Sequence, residues 1–234
     1  MSFEFLAHHK QIALELSGGK DSVAVLYLLR DHLDKITVYW LNTGDPYPET
    51  IEIINECRKL CPNFVEVKSN VTGWKALNGY PSDVVPAQWW SECKPLEAGE
   101  IKLVSSYVCC FNNMMNPLHE RVLADGNTCI IRGQKNADEY QGPVVSGEWH
   151  DGVQIVFPIV DWTDEEVMNF LRSSGAPIHP IYEFSMHGAD CLHCTGWWDK
   201  VSVKFLVRHP AACEFVVAVR DTVDTMVSKR MALC

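Results

Sequence analysis

Gln11-Ile-Ala-Leu-Glu-Leu16 runs directly into Ser17-Gly18-Gly19-Lys20-Asp21-Ser22, and apolar residues then recur at helical spacing at Val23, Leu26, Tyr27 and Leu29. A short apolar run, two glycines and an amphipathic stretch read as strand, tight loop and helix. Such a junction aims backbone N–H groups and the positive end of the helix dipole at one spot. Gly18 and Gly19 let an anion approach closely, Ser17 and Ser22 add hydroxyls, and Lys20 adds a positive charge. Phosphate is the anion this arrangement suits. The spacing is neither GxxxxGK[ST] nor GxGxxG. The competing reading is an ordinary turn followed by a solvated helix start.

Outward from this loop, strand and helix signals alternate. Ile36 to Leu41 reads as a second strand and ends in the turn-rich Asn42-Thr43-Gly44-Asp45-Pro46-Tyr47-Pro48. Glu49 to Leu60 reads as a helix and Phe64 to Val67 as a third strand. The alternation predicts an α/β fold, a mainly parallel twisted sheet with helices on both faces. From 72 to 96 the periodicity fades among Gly73, Gly79, Pro81, Pro86, Pro95, Trp74, Trp89 and Trp90, which predicts an irregular aromatic insertion. Glu97 to Cys110 reads as a helix, Asn127 to Arg132 and Val153 to Phe157 as strands. Thr163 and Glu166 carry the capping-box pattern, and Pro210 to Arg230 predicts a helical C-terminal part. The expected organisation is a nucleotide-binding core over 1–165, with 166–234 as an extension of the same domain.

The 234 residues are 47% hydrophobic and 21% charged, an ordinary globular balance. A net charge of −10 repels polyanions, so a nucleic acid would have to be met by a local patch or a partner protein. There is no run of about 18 apolar residues, and Met1 to Lys10 carries Glu4, His8 and His9 rather than a basic and then apolar signal. The expectation is a cytoplasmic protein that does not enter a membrane.

Ten cysteines without a secretory signal point to metal ligands or redox thiols before disulfides. Cys109 and Cys110 are adjacent, and Cys191-Leu-His-Cys194 follows after a long interval. Four thiolates suit a [4Fe-4S] cluster or zinc, and packing as small core residues is the third reading. Cys57, Cys61, Cys93, Cys129 and Cys213 lack such spacing and read as packing residues. Cys234 is either a nucleophilic thiol or without a role.

The six residues Ser17 to Ser22 resemble the PP-loop of ATP pyrophosphatases and of the related adenylyl-sulfate and phosphoadenylyl-sulfate (PAPS) reductases. Asn42-Thr43-Gly44-Asp45 with Pro48-Glu49-Thr50, Cys109-Cys110 with Pro117-Leu118, Pro158 to Thr163, and Ile181-Tyr182 resemble further segments of the PAPS reductase family. The tandem cysteines with a distant CxxC are similar to the cluster-binding pattern of assimilatory adenylyl-sulfate reductases. The resemblance implies an adenine nucleotide α-hydrolase-like fold of the PAPS reductase type. It also implies nucleotide contacts from Ser17, Gly18, Gly19, Lys20, Asp21, Ser22, Asn42, Thr43, Gly44, Gly133 and Lys135, and a cluster held by Cys109, Cys110, Cys191 and Cys194. The departures fall where reductase chemistry belongs. Asn113-Met114 replace an Arg-Lys pair, Gly133-Gln134-Lys135 with Asp138-Glu139 replace a sulfate-binding arginine element, and the cysteine-bearing tail is missing, leaving only Cys234.

The leading expectation is therefore an ATP- and Mg2+-dependent enzyme that releases pyrophosphate and adenylates an acceptor for sulfur transfer, as in nucleic-acid thiolation or DNA phosphorothioation. Ser17, Lys20 and Asp21 would carry catalysis, with Asp45 and Asp138 as candidate Mg2+ ligands. The alternative is a sulfonucleotide reductase releasing sulfite. A third reading is a non-catalytic protein that binds nucleotide and cluster and docks through its tryptophans. A sulfur-donor protein or thioredoxin-like reductant is the expected partner, in a homo-oligomer.

Overall fold

The computed structural model describes residues 3–85, 96–98, 101–138, 144–188, 190–196 and 202–231. Two compact units emerge, interleaved along the chain. The first comprises 1–42, 48–68 and 117–180, the second 43–47, 69–116 and 181–234. A parallel sheet draws its strands from distant segments, which is why the units are not consecutive.

The first unit is built on a six-stranded sheet. Its strands are β1 (Ile12–Glu15), β2 (Ile36–Asn42), β3 (Asn63–Lys68), β7 (Cys129–Ile131), β8 (Trp149–His150) and β9 (Val153–Val156), in the order β3-β2-β1-β7-β9-β8. Every pairing is parallel except β8 with β9 at the edge. Ile12, Ala13, Leu14, Ile130 and Ile131 are buried, as parallel strands covered on both faces require. The chain runs outward from β1 through β2 to β3 and returns to β1's other side with β7. The carboxyl ends of β1 and β7 therefore flank the switch point, where open α/β sheets place ligands. Helix α1 (Lys20–Leu28) follows β1, α2 (Pro48–Arg58) precedes β3, and α6 (Asp164–Ser174) packs on α1. The predicted capping box is present on α6: Thr163 Oγ1 accepts from Glu166 N–H and Glu166 Oε2 accepts from Thr163 N–H.

The second unit holds α3 (Val71–Asn78), the strands β4 (Tyr80–Ser82), β5 (Leu96–Ala98) and β6 (Ile101–Ser105) in a sheet ordered β4-β6-β5, α4 (Ser106–Cys110), α7 (Ser202–Leu206) and α8 (Pro210–Met231). Two expectations are corrected here. The 72–96 segment is partly regular: Asn70 caps α3 by accepting from Gly73 N–H, and Gly79, at φ +109°, ends the helix before β4 (Tyr80–Ser82). Gly73 in the first turn weakens the helical signal, and the Asn70 cap overrides it. Trp89, Trp90 and Cys93 lie outside the described residues.

The helix expected over 97–110 is mostly sheet. β5 (Leu96–Ala98) and β6 (Ile101–Ser105) pair antiparallel, β6 pairs parallel with β4, and only Ser106–Cys110 is α-helical. The apolar residues at 101, 103 and 104 fit either period, and the pairing with β4 decides between them. Phe111–Met115 then forms a π-helical turn ahead of α5 (Asn116–Ala124). Among the described residues, no helix is long and apolar enough to cross a membrane.

Candidate functional site

In the first unit, the loop leaving β1 is organised by its own hydroxyls. Ser22 Oγ accepts from Ser17 N–H at 3.2 Å and donates to Gly19 C=O at 3.0 Å, while Ser17 Oγ accepts from Gly19 N–H at 3.2 Å. Gly18 sits at φ +86°, which a side chain rarely adopts, and a Cβ there would stand 3.1 Å from Thr50. Gly19 is the N-cap of α1 and supplies no side-chain cap. The nine-residue helix thus presents its first N–H groups without a capping side chain, the arrangement that receives anions.

Lysines and carboxylates surround this helix start. Lys20, 5% exposed, reaches Asp21 at 2.8 Å and Asp164 at 2.9 Å. Lys135, whose side chain is fully buried, reaches Asp21 at 2.6 Å, Asp138 at 2.7 Å and Asp164 at 3.4 Å. Asp138 also accepts from the Lys135 backbone N–H at 2.8 Å. Burial disfavours the Lys135 charge, but the hydrogen bonds it donates to Asp138 and Asp21 outweigh burial and hold its pKa above the usual lysine range. For Asp164, burial acts upward, and the Lys20 bond prevails to hold the carboxyl below its ordinary range. Gly133 is pressed against the same turn: a Cβ would lie 2.6 Å from the Asp21 carbonyl carbon and 2.7 Å from Ser22 N. Lys135 and Asp138, read from sequence as a phosphate contact and an Mg2+ ligand, are joined to one another in an ion network. Among the described residues, two ammoniums face three carboxylates, one negative charge in excess. Glu139 lies outside the described residues. Arg132, at the end of β7, is taken up by a two-pronged bond to Glu15 at 2.6 and 3.1 Å.

The end of β2 and the loop after it carry Asn42, Thr43 and Gly44, the residues expected to contact the nucleotide. Asn42, in the first unit, donates to Glu66 at 2.9 Å. In the second unit, Thr43 is buried, and its hydroxyl receives the Cys191 thiol at 3.6 Å. Gly44 turns the chain at φ +81°. Asp45, read as an Mg2+ ligand, is committed to the CxxC loop. Its Oδ1 lies 2.7 Å from His193 Nδ1, its Oδ2 accepts from His193 N–H at 3.1 Å, and its backbone carbonyl accepts from Leu192 N–H at 2.7 Å. Lys75 of α3, 6% exposed, donates to His193 C=O at 2.9 Å and stands 3.7 Å from Asp45.

Cys109 and Cys191 share one buried cluster with Val71 and Val104, and the partly buried Cys194 and Trp74 pack against it. Cys110 is half-buried on the same short helix as Cys109. Burial pushes the Cys109 thiol up to about 12, and Lys75 is the strongest influence in the opposite direction. Burial likewise raises Cys191. The sulfur donors suit iron-sulfide or zinc in kind. Among the described residues, no three His, Cys, Asp or Glu side chains stand close enough to hold a metal ion as they are. Cys57 and Cys129 are buried packing residues, and Cys61 and Cys213 are half-buried. Cys234 lies outside the described residues.

Sequence reasoning missed Asp164, Lys75 and His193. Asp164 was visible only as the first residue of a capped helix, and Lys75 lies within the segment read as irregular. His193 lies between the two CxxC cysteines, but only the fold brings Asp45 to it.

The chain belongs to the phosphoadenosine phosphosulfate reductase domain family, whose profile matches residues 11–197. Among its relatives, an adenosine 5′-phosphosulfate reductase of Salinibacter ruber is 25% identical over 179 residues, spanning 76% of this chain and 64% of the relative. A phosphoadenosine 5′-phosphosulfate reductase of Xanthomonas campestris pv. campestris is 25% identical over 198 residues, spanning 81% of this chain and 73% of the relative. A crystal structure of PAPS reductase from Candida auris, in a phosphate complex, superposes with a TM-score of 0.54 at 12% identity, covering 76% of this chain and 80% of that one. That likeness establishes the fold.

Proposed function

We propose that this chain is a sulfonucleotide reductase of the adenylyl-sulfate kind. The gathering of Cys109 and Cys191 in one buried cluster, with Cys194 packed against it, carries the reading, in a family whose relatives above are named as reductases of adenosine 5′-phosphosulfate and its 3′-phosphorylated form. The glycine loop holds the nucleotide phosphate at the start of α1, with Lys20 leaving its carboxylates to meet it. A thiolate attacks the sulfur of the sulfate, the S–O bond to the phosphate breaks, and AMP leaves with the electron pair. The enzyme then carries a thiosulfonate, which the two thiols of a thioredoxin-like reductant resolve to sulfite, the free enzyme thiol and the reductant's disulfide. Cys234 is the candidate nucleophile. Cys109, Cys110, Cys191 and Cys194 would hold a [4Fe-4S] cluster only once the tandem cysteines and the CxxC draw closer than they stand in the structure, and it would supply a redox-active, sulfur-bearing centre when bound.

A second reading rests on the lysine–carboxylate network. Its excess negative charge opposes a bare anion and favours a nucleotide accompanied by Mg2+, that is, ATP cleaved to AMP and pyrophosphate with adenylation of an acceptor. Incubating anaerobically purified protein with adenylyl sulfate and a dithiol, and separately with Mg2+ and ATP, distinguishes the two. Sulfite with AMP, reduced at least about 100-fold by Lys20→Ala, is the expected result. AMP and pyrophosphate from ATP without any sulfite from adenylyl sulfate would overturn the reductase reading in favour of the second.

A further inference from the structure

Lys20, the ammonium proposed to meet the nucleotide phosphate, is already held by carboxylates. It stands 2.8 Å from Asp21 and 2.9 Å from Asp164. The two contacts differ in kind. Asp21 follows Lys20 on α1 and moves with it, whereas Asp164 is the first residue of α6, a second helix packed on the first. Thr163 and Glu166 cap α6 in both directions, which fixes where Asp164 stands. Burial works against the Asp164 charge and the Lys20 bond prevails over it, so the carboxylate is ionised at neutral pH. A carboxylate oxygen and a phosphate oxygen make the same charge-assisted bond to an ammonium, and they compete for it. Exchange does not strand the carboxylate. Lys135, its side chain fully buried, lies 3.4 Å from Asp164, so Asp164 keeps a cation when Lys20 turns to a ligand.

We propose that Asp164 is a specificity-determining residue of the nucleotide site, an internal anion that holds Lys20 and must be displaced by the ligand's phosphate. The inference rests on the nucleotide reading of the glycine loop given above and names the residue that sets its threshold. The competition weakens every anion by the same factor. A bare phosphate or sulfate, with no further contact to offer, then stays out, while a phosphate joined to a nucleoside has binding energy left to displace the carboxylate.

The test titrates the full-length protein without Mg2+ by calorimetry, with AMP and, separately, inorganic phosphate as probes, at about 0.15 M ionic strength, where exposed charges are screened. Asp164→Asn keeps the shape of the side chain and removes its charge. It is expected to bind both probes at least about fivefold tighter than wild type, the reverse of what damage to a site does. Glu165→Gln removes an equal charge from the same helical turn, at an exposed side chain, and is expected to stay within about twofold of wild type. In a Lys20→Ala background the gain from Asp164→Asn is expected to vanish, since the carboxylate then has no Lys20 ammonium to withhold. Unchanged or weaker binding by Asp164→Asn overturns the inference, as does a gain that persists without Lys20. An equal gain from Glu165→Gln also overturns it, because overall charge rather than the contact would then be at work. If neither wild type nor Asp164→Asn binds AMP or adenylyl sulfate, the nucleotide reading itself fails, and this inference with it.

Discussion

Asp45 binds the CxxC loop through its carboxylate and its backbone carbonyl, and only the carboxylate bonds are removed by mutation. Asp45→Ala strips the ring and N–H partners from His193 and leaves Lys75 buried without its carboxylate. The expected cost is about 3 kcal/mol, measured as a lower urea midpoint at unchanged slope. Lys135 presents the converse case. Lys135→Met leaves Lys20, bonded to Asp21 and Asp164, to offset three carboxylates, and strips Asp138 of its ammonium partner. Destabilisation of about 3–5 kcal/mol is expected, relieved in part by adding Asp138→Asn. A double-mutant cycle measures the coupling, and full additivity would contradict the network.

At the scale of elements, the contact between the β7 loop and the start of α1 is set by a missing side chain. Gly133→Ala would place a methyl 2.6 Å from the Asp21 backbone, which cannot yield as a flexible side chain would. The loop or the helix start must move, at a cost of about 1–3 kcal/mol. Because the moved part carries the proposed phosphate site, nucleotide affinity should fall at least about tenfold by calorimetry, while Gly147→Ala, which meets nothing within 4 Å and is strained through its φ of +91°, should cost stability and leave binding intact. The capping box of α6 bears on the same place, since its first helical residue is Asp164, the partner of Lys20. Thr163 and Glu166 were readable as a cap three residues apart, and β1, β2 and β3 as apolar runs between turn residues. β6 was not readable, because five residues with apolar side chains at 101, 103 and 104 satisfy both periods until a partner strand is present.

For the molecule as a whole, the shifted groups set the pH response. The Asp164 carboxyl is held below its ordinary range, so the stability it contributes is complete above the unfolded value near about 4 and is lost as pH falls through the lower folded value. Lys135 is held above its ordinary range, so its contribution is complete below about 10 and is lost as pH rises through the higher folded value. Thermal unfolding should hold level from about pH 4 up to about pH 8.5, above which the buried thiols of Cys57, Cys109, Cys129 and Cys191, raised by burial, lower stability as the unfolded chain ionises, and Asp164→Asn should flatten the acid side. An unchanged acid limb in that variant would show that other carboxylates dominate it.

The sequence by itself determined the strand–glycine loop–helix unit, the alternation that makes a parallel α/β sheet, the capped start of α6 and the family, because these depend on local periodicity and on residues adjacent in the chain. Only the tertiary structure decided what the charged residues do. Lys135 and Asp138 neutralise each other instead of standing open, Asp164 joins them from a helix far along the chain, and Asp45 and Lys75 meet at the CxxC. Charges separated by many residues select partners by distance and burial, and those are known only once the chain has folded.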